Sequence, residues 1–144
     1  MGQAIKPEPN LEHPVVLVVD DEQALRLLAT DLFEEAGLAA VEARNAAEAL
    51  NTLEQRSDIA LLFTDCQMPG MSGPDLARVA SNRWPHLRVV LVTGFQERCM
   101  LDWPLIWKPY SGRTIERIVE LVLAPQTVHA VQHDQRPTGP GHWS

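Results

Sequence analysis

Three runs of branched apolar residues constrain this chain more than anything else in it: VVLVV at 15–19, IALLFT at 59–64 and VVLV within Arg88–Thr93. None of them alternates apolar with polar, so none reads as a strand with one wet face. Uninterrupted runs of this kind suit strands covered on both sides, which implies a parallel sheet between two layers of helices. The segments between them supply those helices. Glu22 to Ala36 places Leu25, Leu28, Leu32 and Ala36 on one stripe, with Gly37 as the stop. Asn45 is placed to cap a helix carrying Ala46, Leu50 and Leu53. Pro74 opens a third, with Leu76, Ala77, Val79 and Ala80 inward. Ser111 caps a last one, with Ile115, Ile118, Val119 and Val122 at helical spacing.

Leu38–Ala43 reads as a weaker strand and Leu105–Trp107 as a short fifth. The expected fold is therefore α/β: a doubly wound, five-stranded parallel sheet in a three-layer sandwich with right-handed crossovers. One connection does not fit the regular alternation. Between Thr93 and Lys108 the chain holds GFQERCMLDWPLIW, too few residues for a full helix, two loops and a strand, and Pro104 limits any helix further. The helix after the fourth strand is expected to be absent or reduced to about one turn.

The domain should span residues 14–123. Residues 1–13 form a Pro-rich polar leader, and residues 124–144, with three prolines and little apolar periodicity, are expected to be mostly disordered. A chain of 144 residues has room for one ordinary core. Its 19 acidic against 12 basic residues give a net charge of -7, and no basic cluster breaks the pattern, which argues against direct nucleic-acid binding. Cys66 and Cys99 are the only cysteines and lie in no metal-like spacing. No secretory signal or membrane-length apolar run occurs, so the expectation is a cytoplasmic protein without a membrane partner.

In such sheets, ligands bind beyond the carboxyl ends of the strands. The polar residues there are Asp20-Asp21 after the first strand, Asp65 after the third, Thr93-Gly94 after the fourth and Lys108-Pro109 after the fifth. Taken singly, each has a plain reading. Asp20-Asp21 could cap a helix, and an aspartate ahead of Pro69-Gly70 could simply form a turn. Taken together, they place three carboxylates, a hydroxyl and an ammonium at one edge. Three such acids repel one another by about 3 kcal/mol per pair at an effective dielectric of ~20. A hard divalent cation would relieve that repulsion, and Mg²⁺ favours carboxylates and water.

An acidic pair after strand one, D-x-x-M-P-G-M-S-G after strand three, T-G after strand four and K-P after strand five resemble the receiver domain of two-component response regulators. The resemblance covers Val15 to about Val122 and implies the flavodoxin-like arrangement of that family. It implies that Asp65 accepts a phosphoryl group from a sensor histidine kinase or a histidine phosphotransfer protein, with Thr93 and Lys108 contacting the phosphoryl oxygens. It also implies a Mg²⁺ site in which Asp21 and Asp65 bind directly, Asp20 binds mainly through water, and Gln67 contributes its backbone carbonyl. The Lys108–Pro109 bond would be cis.

The chain departs from the family at Leu105, where a tyrosine or phenylalanine whose rotamer follows phosphorylation is usual; Phe95 or Trp107 could stand in for it. The resulting expectation is a single-domain, monomeric or weakly dimeric regulator that acts on a downstream protein target, and not a turnover enzyme. Two rivals remain. An aspartyl-phosphate hydrolase would carry a second acid two residues past the nucleophile, where this chain has Gln67. A pseudo-receiver would keep the fold as an interaction module without the phosphoryl switch.

Overall fold

Each apolar run becomes a strand whose residues point alternately into two cores. The computed structural model describes residues 12–94 and 102–123. In chain order the elements are β1 (Val15–Val19), α1 (Gln23–Glu35), β2 (Ala39–Ala43), α2 (Ala46–Gln55), β3 (Ile59–Asp65), α3 (Gly73–Arg83), β4 (Arg88–Thr93), β5 (Leu105–Trp107) and α4 (Gly112–Leu123). The strands form one sheet in the order β2-β1-β3-β4-β5, and each neighbouring pair is parallel.

Val15, Leu17 and Val19 of β1 face a core closed by α2 and α3, through Ala46, Ala49, Leu53, Leu76, Ala77 and Ala80. Val16 and Val18 face the opposite core, closed by α1 and α4 through Ala29, Phe33, Ile115, Ile118 and Val119. Burial on both sides is why these strands contain no polar alternation. The helix starts are set locally. The Asn45 side chain accepts the backbone N–H of Glu48, and the Ser72 hydroxyl accepts that of Asp75. Ser111 Oγ likewise accepts from the Thr114 amide at 3.3 Å.

The inward face of α1 differs from the leucine stripe expected for it. Arg26, Ala29, Thr30 and Phe33 are buried, whereas Leu28 is 53% exposed and Leu25, Leu32 and Ala36 are only half-buried. Phe33 decides the phase: its ring meets Phe63 of β3 edge-on at 4.9 Å between centroids. An aromatic pair adds to its burial energy, and Arg26 on the same face finds partners of its own.

The expectation that the helix after β4 is absent or reduced to about one turn concerns residues 95–101, which lie outside the described residues, as do Phe95, Cys99, the tail from residue 124 and nearly all of the leader. The described chain resumes at Asp102, where Asp102–Pro104 lead into β5 without a helix. Trp103 packs against the α2/α3 core, and its indole N–H donates to Ser81 Oγ at 3.2 Å.

One irregularity positions the site. Val15 pairs with Ile59, but Val16 pairs with Leu61, so β3 gains one residue on β1 at Ala60. From there the register runs to Val19 opposite Thr64. One step further brings Asp20 level with Asp65.

Candidate functional site

Strand ends and one tight loop assemble the site. Carboxylate oxygens of Asp20, Asp21 and Asp65 all lie within 4.8 Å of one another. Lys108, just past β5, reaches toward the same point: its Nζ stands 3.4 Å from Asp65 Oδ1 and 3.7 Å from Asp20 Oδ2. The backbone N–H of Lys108 donates to the Thr93 carbonyl at 2.8 Å, which ties the tip of β5 to that of β4. Thr93 itself is fully buried. Gln67 is exposed on the loop after β3. The Lys108–Pro109 bond is cis.

Asp20 serves the helix as well as the cluster. Its Oδ1 accepts the backbone N–H of Glu22 at 2.9 Å, a local turn that opens α1, while Oδ2 faces Lys108. Turn formation and clustering are thus two uses of one carboxylate, and the N-cap residue of α1, Glu22, has no side-chain cap of its own.

The loop after β3 is shaped by glycine at two points. Gly70 has φ +81, a conformation that side chains other than glycine rarely adopt. Gly73 has an ordinary φ but no space: a Cβ there would overlap the Asp65 carbonyl and lie 2.8 Å from Cys66 Cα. Its N–H donates to the Cys66 carbonyl at 2.9 Å. The start of α3 is therefore pressed directly against the backbone that carries Asp65. Cys66 is buried at this junction, among the α2/α3 core residues.

Burial pushes the Asp65 carboxyl above its ordinary pKa; Lys108 opposes that shift, and Asp20 and Asp21 add to it. At an effective dielectric of ~20, a carboxylate pair 4.8 Å apart repels by about 3 kcal/mol, and Lys108 at 3.4 Å offsets about 5 kcal/mol. The ammonium balances only part of the excess charge. Three hard oxygen donors at this spacing fit a small divalent cation that keeps several of its waters.

Sequence reasoning missed three residues here. Arg26 is buried, its Nη1 donating to the Asp20 carbonyl at 2.8 Å and its Nε to Glu42 Oε1 at 2.9 Å. Tyr110 is half-buried against the α1/α4 core, with its ring 5.7 Å from that of Phe63. Burial pushes its phenol up to about 12, with the charges of Asp20 and Asp65 adding. Tyr110's place two residues beyond Lys108 was the available signal for it; Arg26 offered none, because its partners lie just past β1 and on β2. Gly73 was visible as a turn residue, but its contact with Asp65 was not.

Residues 16–102 match the response regulator receiver domain family. The chain belongs to that family. The receiver domain is 30% identical over 115 residues to the response regulator receiver protein CpdR of Brucella abortus, covering 75% of this chain and 95% of that protein. It is 30% identical over 88 residues to sporulation initiation phosphotransferase F of Bacillus subtilis, covering 60% of this chain and 69% of that one. Among solved structures, response regulator TrrA of Thermotoga maritima, crystallised with Mg²⁺ and a BeF group, superposes with a TM-score of 0.68 at 25% identity, over 76% of this chain and 99% of that one. Receiver domains are signalling modules of two-component systems, and the sheet order and helix layers described above are theirs.

Proposed function

We propose that this receiver domain accepts a phosphoryl group on Asp65 with Mg²⁺ bound, and signals through protein contacts. The observation that carries the proposal is the convergence of Asp20, Asp21 and Asp65 within 4.8 Å, with the Lys108 ammonium 3.4 Å from the middle acid. A carboxylate oxygen of Asp65 attacks phosphorus, and the donor's N–P bond breaks as the new O–P bond forms. The nitrogen leaves with the bonding pair, as a phosphohistidine imidazole does. Asp21 and Asp65 would hold the ion directly, Asp20 would hold it mainly through water, and the Gln67 carbonyl would complete the protein's share. Use of Asp20 Oδ1 by the Glu22 amide supports the indirect role. Mg²⁺, when bound, supplies positive charge for the phosphoryl oxygens.

Lys108 and the Thr93 hydroxyl then bind oxygens of the transferred group. The donor is a sensor histidine kinase or a phosphotransfer protein, as the likeness to a sporulation phosphotransferase supports. The likeness to a regulator crystallised with Mg²⁺ and BeF supports the ion. Incubation with phosphoramidate and MgCl₂, followed by intact mass, tests the reading. The wild-type chain should gain one phosphoryl group and Asp65→Asn none. An unmodified wild-type chain, or labelling that survives Asp65→Asn, would point instead to a module that keeps the fold without the switch. Lys108→Ala should still bind Mg²⁺ yet fail to give the beryllofluoride-induced change in tryptophan fluorescence.

A further inference from the structure

Arg26 is the most deeply buried charged side chain outside the acidic cluster among the described residues, at 8% side-chain exposure, and the proposed phosphoryl transfer gives it no role. Arginine is almost never buried unless paired, so its position needs a reason. Two contacts define it. Nη1 donates to the backbone carbonyl of Asp20 at 2.8 Å, and Nε donates to Glu42 Oε1 of β2 at 2.9 Å. One guanidinium on α1 thereby joins the tip of β1 to the neighbouring strand.

The carbonyl it holds belongs to the peptide linking Asp20 to Asp21. A peptide unit is planar, so fixing that oxygen fixes the plane from which both acids depart. Apart from the ion pair of its Oδ2 with Lys108, the other described contacts of Asp20 come from the backbone: its N–H donates to the Ala43 carbonyl at 3.2 Å, and its Oδ1 accepts from the Glu22 amide. Arg26 adds a side-chain clamp that neither helix nor sheet hydrogen bonding provides. Glu42 keeps the charge of that clamp balanced, so the pair adds little net field at the acids.

We infer that Arg26 is a positioning residue for the divalent-cation site, holding the Asp20–Asp21 peptide so that both carboxylates meet Asp65. The inference rests on the Mg²⁺ reading of the acidic cluster. Outer partners that orient metal ligands commonly contribute tenfold or more to metal affinity.

The test is titration with MgCl₂ alone, read by tryptophan fluorescence, with circular dichroism confirming that each variant is folded. The charge-balanced double variant Arg26→Met/Glu42→Leu removes the clamp without changing net charge and leaves neither partner as an unpaired charge. It should bind Mg²⁺ about tenfold more weakly than the wild type. Arg26→Lys, which keeps a donor for the Asp20 carbonyl, should recover most of that loss. Affinity of the double variant within about twofold of the wild type overturns the inference. A lysine variant as impaired as the double variant also overturns it, since the effect would then lie in packing of the arginine stem. A wild-type chain that shows no Mg²⁺ response overturns the metal reading itself, and is thereby distinguished from failure of the Arg26 assignment.

Discussion

The tips of β1 and β3 and the edge formed by β4 and β5 belong to one sheet but are built to different tolerances. At the central tips, Asp65 is pressed by Gly73, levelled with Asp20 by the extra residue at Ala60, and set against a peptide that Arg26 holds. At the edge, β5 has three residues, Trp107 is 47% exposed, and the half-buried Leu105 stands where the family pattern expects an aromatic ring. The difference teaches which half of the task needs geometry. Bringing three acids close enough to share one ion demands fixed distances, whereas a sheet edge can change its residues without disturbing that pocket. Lys108 is the exception at the edge, and a backbone bond to Thr93 of β4 holds it in place.

Substitution can break or sharpen this contrast. The largest effect is expected from Gly73→Ala. The new methyl overlaps the Asp65 carbonyl, so the loop or the strand tip must move, and stability should fall by about 3 kcal/mol in denaturant unfolding. Mg²⁺ affinity should fall with it. A variant as stable as the wild type would show that the tip of β3 is as tolerant as the edge.

Asp65→Asn should act in the opposite direction on the ion-free protein. Removing one of three clustered charges should raise stability by about 2 kcal/mol at neutral pH. The pH dependence has a defined sign. The Asp65 pKa is raised on folding, so stability associated with its protonated form is present below the ordinary aspartate pKa and is lost as pH rises through the folded value. The advantage of Asp65→Asn over the wild type should therefore be smallest in acid and grow as pH rises. Saturating Mg²⁺ should erase it. Thermal unfolding of both proteins across pH, with and without the ion, checks all three statements.

The smallest effect belongs to the edge. Trp107→Ala removes a large but half-exposed ring and should lower stability by about 1 kcal/mol. A loss comparable to that of Gly73→Ala would erase the distinction between the two regions.

Much of this arrangement was legible in the sequence because it rests on local chemistry. VVLVV became β1 with the boundaries read from it, as did Arg88–Thr93 and Leu105–Trp107, since apolar runs covered on both faces carry their own signature. Asp20, Asp21, Asp65 and Lys108 could be grouped in advance because each stands at or just past a strand's end. What periodicity could not supply was the phase of α1. Counting leucines put Leu28 inward, but the buried face is chosen by the contact of Phe33 with Phe63, 30 residues away, and by acceptors for Arg26 on β1 and β2. A buried arginine looks like a surface arginine until its partners are in place. The contact between Gly73 and Asp65 was hidden for a similar reason, since a close approach leaves no trace beyond the glycine itself.

The additional residue at Ala60 has a consequence of another kind. β1 and β3 are apolar on both sides, so a slide of one place along the ladder would exchange oil for oil and leave each layer nearly as well filled. Packing alone is a poor ruler for such a pair. The offset at Ala60 keeps count, and it determines whether a negatively charged group at one strand's end meets its counterpart or a hydroxyl.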